Sequence, residues 1–227
     1  MLPRLTKLCL GGWANGELGA VVTFGWGVRP VHTIRKAFPS LGTVDYLEIG
    51  KLCLHDDLPR NSESWFLSRA IRMCCDYFPL LQVIWTWADG ILGKPGYVYQ
   101  ATNFLYGGFI WTEIYLDRDG VKVHPRTVQG ITCLPGEKGR GRRDAATTEA
   151  LGLTKWWGKQ FRYVLPVCGK RRWKELAAES PFDWALPYPK DADLCWEVQE
   201  GNTRRIAGPP PFIAGRYTKP GKQARLL

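Results

Sequence analysis

Between His55 and Cys74 the chain reads HDDLPRNSESWFLSRAIRMC, and Arg60, Asn61, Ser62 and Ser64 cluster where an apolar stretch gives way to a helical pattern. A helix start carries unpaired backbone N–H groups and the positive end of its dipole, so polar side chains beside it suit a phosphate-bearing cofactor. Asn and Ser are also common N-caps, and taken alone the turn is an N-capped helix start. A second polar line is Tyr99, Asn103 and Tyr106. In helical register these lie near one face, either as the wall of a cleft or as a half-buried helix edge. Cationic residues gather twice, as Lys138, Arg140, Arg142 and Arg143 in a glycine-spaced loop and as Lys170, Arg171, Arg172 and Lys174 around Trp173. Both clusters can follow a phosphate backbone, giving affinity and salt dependence without sequence choice; a solvated basic surface has the same composition.

The elements that must position these groups follow from patterning. AVVTFGW (Ala20–Trp26), DYLEIGKLCL (Asp45–Leu54), LQVIWTWA (Leu81–Ala88) and FIWTEIYL (Phe109–Leu116) read as strands because they are β-branched, aromatic or apolar and end at turn residues. A short strand is expected over Val121–His124, and a short helix over residues 30–38. After Pro59, apolar Phe66, Ala70, Met73 and Tyr77 recur at helical spacing, and Pro79 ends that helix. YVYQATNFLY (Tyr97–Tyr106) reads as a helix stopped by Gly107 and Gly108, and a further helical segment is expected over Thr147–Tyr163. Strands alternating with helices predict an α/β domain with a mixed central sheet.

The 227 residues suit one domain with a decorated C-terminal part. The expected division is a core over 1–134, a basic part over 135–200 that completes the domain and contacts DNA, and a flexible Pro/Gly-rich basic tail over 201–227. A formal net charge of +10 favours an anionic partner, nucleic acid first and a membrane surface second. No apolar run approaches the roughly 20 residues of a membrane span, and MLPRLTKLCLGGW lacks an apolar signal region, so a cytoplasmic protein is expected. The seven cysteines are odd in number and show no C-x-x-C spacing; they read as reduced thiols. Eleven tryptophans imply an aromatic core, with some free to stack on exposed bases.

The order of a strand, the PRNSES turn, a helix, a strand ending at Asp89 and a segment carrying tyrosines and an asparagine resembles the GCN5-related N-acetyltransferase fold. That resemblance implies an acyl-coenzyme A pyrophosphate on the turn before the helix, and gives Tyr99 the place of the tyrosine that protonates a leaving thiolate. The turn here reads PRNSES in place of the family's glycine-bearing pattern. DDLPRNSESWFLSRAIR followed by GYVYQATNFLYGG is similar to the Mom DNA-modification proteins of Mu-like phages, over roughly residues 48–128. The similarity implies an enzyme that converts adenine in double-stranded DNA to an N6-carbamoylmethyl derivative, shielding phage DNA from host restriction in the host cytoplasm.

Such a product joins nitrogen to a methylene, which simple acyl transfer does not make. The donor is then an acyl-CoA or another small acyl or glycyl compound, either activated at its α-carbon or supplying a glycinamide-like unit that replaces the exocyclic amine. Iron is one means of activation, with His55 and Asp57 as its ligands, although the same residues also suit a solvated, helix-capping loop. Glu48 or Asp89 would act as general base on the adenine amine, Asp89 being equally a turn residue before Gly90. Extruding the base calls for aromatic walls, for which Tyr99, Tyr106, Trp85 and Trp87 are candidates. Two alternatives remain: an acyl-CoA N-acyltransferase acting on another amine, and a DNA-binding protein without catalysis.

Overall fold

A computed structural model describes residues 5–123, 127–128 and 145–213. Along the chain the elements are β1 (Thr6–Ala14), β2 (Glu17–Gly25), α1 (Pro30–Ala37), β3 (Tyr46–Leu54), α2 (Ser62–Tyr77), β4 (Val83–Ala88), a 3-10 turn (Gly90–Leu92), α3 (Tyr97–Ala101), β5 (Leu105–Leu116), β6 (Lys122–Val123), α4 (Ala145–Ala150), β7 (Thr154–Pro166), α5 (Lys170–Glu179), a second 3-10 turn (Asp191–Asp193), β8 (Trp196–Glu200) and β9 (Thr203–Ala207). This is the α/β class with a mixed sheet that the alternation of elements predicts. Two units share the chain. The first comprises Met1–Ala88, Gly96–Gly108 and Phe161–Tyr188, and the second Asp89–Pro95, Phe109–Gln160 and Pro189–Leu227. Strands β5 and β7 each run from one unit into the other.

In the first unit, β1 and β2 form a hairpin closed by Asn15 and Gly16, whose φ angles of 52° and 84° give the left-handed pair that matches strand twist. β2 pairs antiparallel with β3, β3 parallel with β4, and β4 antiparallel with β7. Side chains alternate across this sheet. One face carries Tyr46, Val83, Trp85 and Val164, packed against Ile34, Ala37 and Phe38 around α1 and against Leu176 and Trp184 of the α5 region. α2 buries Phe66, Leu67, Ala70, Ile71 and Cys74 and lies against β1, β2 and α3. The second unit packs Ile91, Ile114, Leu116, Trp196 and Ile213 together, with β8 paired to both β7 and β9.

Several sequence expectations need correction. Tyr97–Tyr106 is not one helix: α3 ends at Ala101, Asn103 turns the chain with φ 63°, and β5 has begun by Leu105. The expected helix over Thr147–Tyr163 is α4 followed by a strand, because TKWWGKQFRYVLP is aromatic and β-branched enough to complete a sheet. Within α2, Phe66 and Ala70 are buried as expected, but Met73 and Tyr77 are exposed, and the stripe continues through Ile71 and Cys74 instead. β1 was not anticipated; its half-exposed alternation gives only a weak apolar signal. Trp173, at the centre of the second basic cluster, is half-buried and packs edge-on against Phe38. β9 lies within the Pro/Gly-rich tail, while the loop with Lys138, Arg140, Arg142 and Arg143 lies outside the described residues. The six cysteines other than Cys133 are free thiols. No helix among the described residues is long and apolar enough to cross a membrane.

Arg172 ties α5 to the sheet. Its Nε donates to Gln82 Oε1 at 2.8 Å and Nη2 to Ser40 Oγ at 3.1 Å. Gln82 in turn donates to Asp45 at 2.8 Å, and Ser40 to Glu179 at 2.6 Å. Arg172→Ala is expected to lower stability by about 1–2 kcal/mol, read from the urea midpoint.

Candidate active site

β3 and β4 pair only from Tyr46↔Val83 to Glu48↔Trp85, although β3 continues to Leu54 and β4 to Ala88. Beyond Glu48 the strands part, and the opening has Glu48 and Trp85 at its apex. The Glu48 carboxylate has no room for a side chain at residue 27: a Cβ on Gly27 would overlap both of its oxygens. It accepts hydrogen bonds from the Gly27 backbone N–H and, at 3.4 Å, from the Tyr46 hydroxyl. Burial pushes the Glu48 carboxyl above the usual carboxylate range, and these two hydrogen bonds only partly offset it. Burial, then the neighbouring Glu48 charge, raises the Tyr46 hydroxyl. A carboxylate held ready to take up a proton is what general-base chemistry on an amine requires.

The register Trp85↔Val164 and Trp87↔Arg162 sets Arg162 on the same sheet face as Glu48. Its guanidinium carbon lies 3.7 Å from the Phe182 ring centre, 5.4 Å from that of Trp87 and 6.0 Å from that of Trp85. Trp85 stands edge-on to Trp87 and to Trp184, with centroids 5.6 and 5.9 Å away. An acid, a cation and four aromatic rings therefore share one face.

Tyr99 belongs to the other face. Its ring packs on Phe104 and Tyr163 with centroids 5.5 and 5.6 Å away, and Tyr106 packs on Phe161 and Tyr163. Tyr163 accepts from Gln100 Nε2 at 3.0 Å, and burial raises its hydroxyl far above the ordinary tyrosine value. Thr86, opposite Tyr163 in the register, is 1% exposed and its hydroxyl has no partner. The four expected aromatic walls are thus split, Trp85 and Trp87 on one face and Tyr99 and Tyr106 on the other, because adjacent residues of β7 point to opposite sides. Asn103 is exposed at the turn after α3 and does not continue a line from Tyr99.

The remaining candidates are peripheral. Arg60 and Asn61 are exposed and Ser62 and Ser64 half-buried at the start of α2, where Asn61 takes φ 69° and makes no side-chain cap; Ser64 Oγ donates to the Asn61 carbonyl at 3.1 Å. His55 Nδ1 and Asp57 lie 3.2 Å apart, both largely exposed, and among the described residues no three His, Cys, Asp or Glu side chains gather as a metal centre would need. Asp89, in the second unit, accepts from Gln160 Nε2 at 2.8 Å, and its carbonyl accepts from Leu92 and Lys94. Lys170 and Arg171 are exposed at the start of α5, with Arg171 3.5 Å from Glu175, whereas Arg172 has the partners described above.

Sequence reasoning missed Arg162, Gly27 and Tyr46. The signal available for Arg162 was a lone cation inside FRYVL, a run otherwise apolar or aromatic on both faces. It missed also, in the second unit, Trp157 with Arg204 at 4.2 Å and Lys155 at 4.8 Å from its ring centre.

Comparison with known proteins adds an independent line. The profile of the Mom protein family matches residues 1–190. The chain is 30% identical over 186 residues to the methylcarbamoylase Mom of Escherichia phage Mu, which covers 81% of this chain and 72% of that protein. Among solved structures, a Bacillus subtilis acetyltransferase in complex with CoA is similar with a TM-score of 0.37 and 15% identity, over 70% of this chain and 76% of that one. A tandem GNAT protein from the clavulanic acid biosynthesis pathway gives a TM-score of 0.37 and 10% identity, over 100% of this chain and 69% of that one.

Proposed function

The chain belongs to the Mom protein family, and on that premise we propose that it is a phage-type DNA-modification transferase. Its substrate is adenine in double-stranded DNA, its product the N6-carbamoylmethyl derivative, and its role the protection of that DNA from host restriction. The observation that carries this reading is the 30% identity over 186 residues to a protein named as a methylcarbamoylase. The matched span, residues 1–190, includes Glu48, Trp85 and Arg162.

In this reading the adenine is extruded from the duplex and lies against Trp87, the half-buried ring next to Trp85 on that face. N6 attacks the methylene carbon of the donor. As the N–C bond forms, Glu48 takes the N6 proton, and the donor's bond to its leaving group breaks with the electron pair departing on that group. Adenine N6 is a weak nucleophile, and a base of raised pKa on that sheet face suits it. The β3/β4 opening, with Arg60, Asn61, Ser62 and Ser64 at the start of α2, is the place for a phosphate-bearing donor; a CoA donor would supply the leaving thiolate for this step if its sulfur were bonded to the transferred methylene, not to an acyl carbon. Tyr99, on the opposite face, would serve the leaving group through that opening. His55 and Asp57 alone do not make a site that fits iron, and no step is assigned to one. Lys170 and Arg171, together with Lys138, Arg140, Arg142 and Arg143, are the residues for the DNA backbone.

The test is mass spectrometry of nucleosides from plasmid DNA of cells expressing the chain, beside cells carrying the empty vector. A deoxyadenosine heavier by one CH2–CO–NH2 group in place of a hydrogen is the expected result. Unmodified deoxyadenosine from cells containing the folded protein would overturn the reading and favour acyl transfer to another amine.

A further inference from the structure

Arg162 is 7% exposed. Its Nη1 donates to the Gly107 carbonyl at 2.5 Å, and no carboxylate pairs with it among the described residues. A guanidinium has five N–H donors in a rigid fork, so most of this one's capacity is unspent. Burial brings Arg162 down to about 10, which still leaves it charged at neutral pH. A buried charge is ordinarily paired, and removing the partner leaves a strongly unfavourable site. The aromatic rings around the guanidinium supply part of the compensation, but no directed acceptor.

A second orphan belongs to the same cage. Trp85 is 1% exposed, and its indole N–H has no acceptor. Its ring centre lies 6.0 Å from the Arg162 guanidinium carbon, and Glu48 is its neighbour on β3. The Trp85 indole N–H without an acceptor and the remaining N–H groups of Arg162 therefore lie among flat apolar walls formed by Trp87, Phe182 and Trp184. That combination suits a small, planar, acceptor-bearing group.

We infer that Arg162 and the Trp85 indole N–H form a binding seat for a carboxylate or carboxamide group, on the sheet face that carries Glu48. Arg162 binds the group through its guanidinium edge, and the rings clamp its plane. The identification of this group as the end of the unit transferred to adenine rests on the adenine-modification reading; the seat itself does not. Arg162 would then be a binding and specificity residue, selecting a donor whose methylene ends in C(=O)O or C(=O)NH2 over one that ends in a methyl group.

The test uses the full chain, with and without an adenine-containing duplex, titrated with glycine and acetate as carboxylates and with glycinamide and acetamide as carboxamides. Thermal stability and tryptophan fluorescence are followed together. A saturable response to one of the two classes is expected, and which class responds identifies the group. Arg162→Gln should weaken it at least tenfold, and Arg162→Lys, which keeps the charge but loses the fork, by less. If Arg162→Gln does not fold, Trp85→Phe, which removes the indole N–H, should weaken the response severalfold. No response to any of the four probes in the intact chain, or an unchanged response in these variants, would overturn the seat. Nucleoside mass spectrometry separates the two claims. Binding without modified deoxyadenosine sinks the DNA reading alone, and modification undiminished in Arg162→Gln sinks the seat alone.

Discussion

Glu48→Gln is expected to reduce modified deoxyadenosine in plasmid DNA by at least about 100-fold, the usual minimum for loss of a general base. The substitution keeps the side chain's shape within a pocket that a single Cβ at Gly27 would already overfill, so the loss is of chemistry and not of fold. The direction of the stability change makes the point separable. Burial raises the folded-state pKa of Glu48 above its unfolded value. Its linked contribution to stability is therefore fully present below the unfolded pKa and lost as pH rises through the folded one. At neutral pH the intact chain carries a buried carboxylate that the variant lacks. Glu48→Gln should consequently match or exceed the parent's melting temperature at pH 7 and lose that advantage on acidification. Activity of the parent should rise with pH on a limb displaced above the ordinary carboxylate range. A variant that unfolds at pH 7, or one that still modifies DNA, would remove Glu48 from the role of base.

Gly107→Ala carries the largest expected cost in stability. A Cβ there would overlap the ring of Trp184, and that ring cannot withdraw. It stacks on Phe38 with centroids 5.6 Å away, meets Trp85 edge-on, and donates from Nε1 to Ser180 Oγ at 2.9 Å. Overpacking a fixed aromatic site costs about 3 kcal/mol, which corresponds to roughly 6–12 °C in melting temperature for a chain of this size. The substitution would also shift the carbonyl that accepts from Arg162. Gly169→Ala is the matched control, since a Cβ at that position meets nothing within 4 Å and φ is −63°. A melting temperature for Gly107→Ala within 1 °C of that control, read by tryptophan fluorescence, would show that the cage has slack the packing does not reveal.

Much of the first unit was legible from residue order. β2, β3, β4 and α2 lie where alternation, β-branching and helical spacing put them, because each is long or strongly patterned enough for local preference and tertiary packing to agree. The failures came where one pattern serves two structures. YVYQATNFLY has the composition of a helix and the glycines that stop one, yet a single left-handed residue at Asn103 sends its second half into β5. Thr154–Pro166 was read through its apparent helical context, and only its place between β4 and β5 makes it a strand. The candidate site divides in the same way. Glu48 could be named from its type and its strand, whereas Arg162 could not, because its meaning lies in what is missing around it. Tyr99 and Tyr106 were grouped with Trp85 and Trp87 as aromatic walls and lie on the opposite face, since only register decides which side of a sheet a residue meets.

The first unit is assembled from three stretches of chain, and the last begins at Phe161. The wall that covers Trp85 therefore does not exist while Trp85 is being synthesised. At about 5–20 residues per second, the stretch from Trp85 to Trp184 takes on the order of 5–20 s to emerge. For that interval a tryptophan-rich sheet face waits without its cover. A ribosome stalled before Phe161 would hold an open, sticky half-sheet. The C-terminal third that supplies Arg162, Phe182 and Trp184 closes this face after the strands that carry Glu48 and Trp85 have already been made.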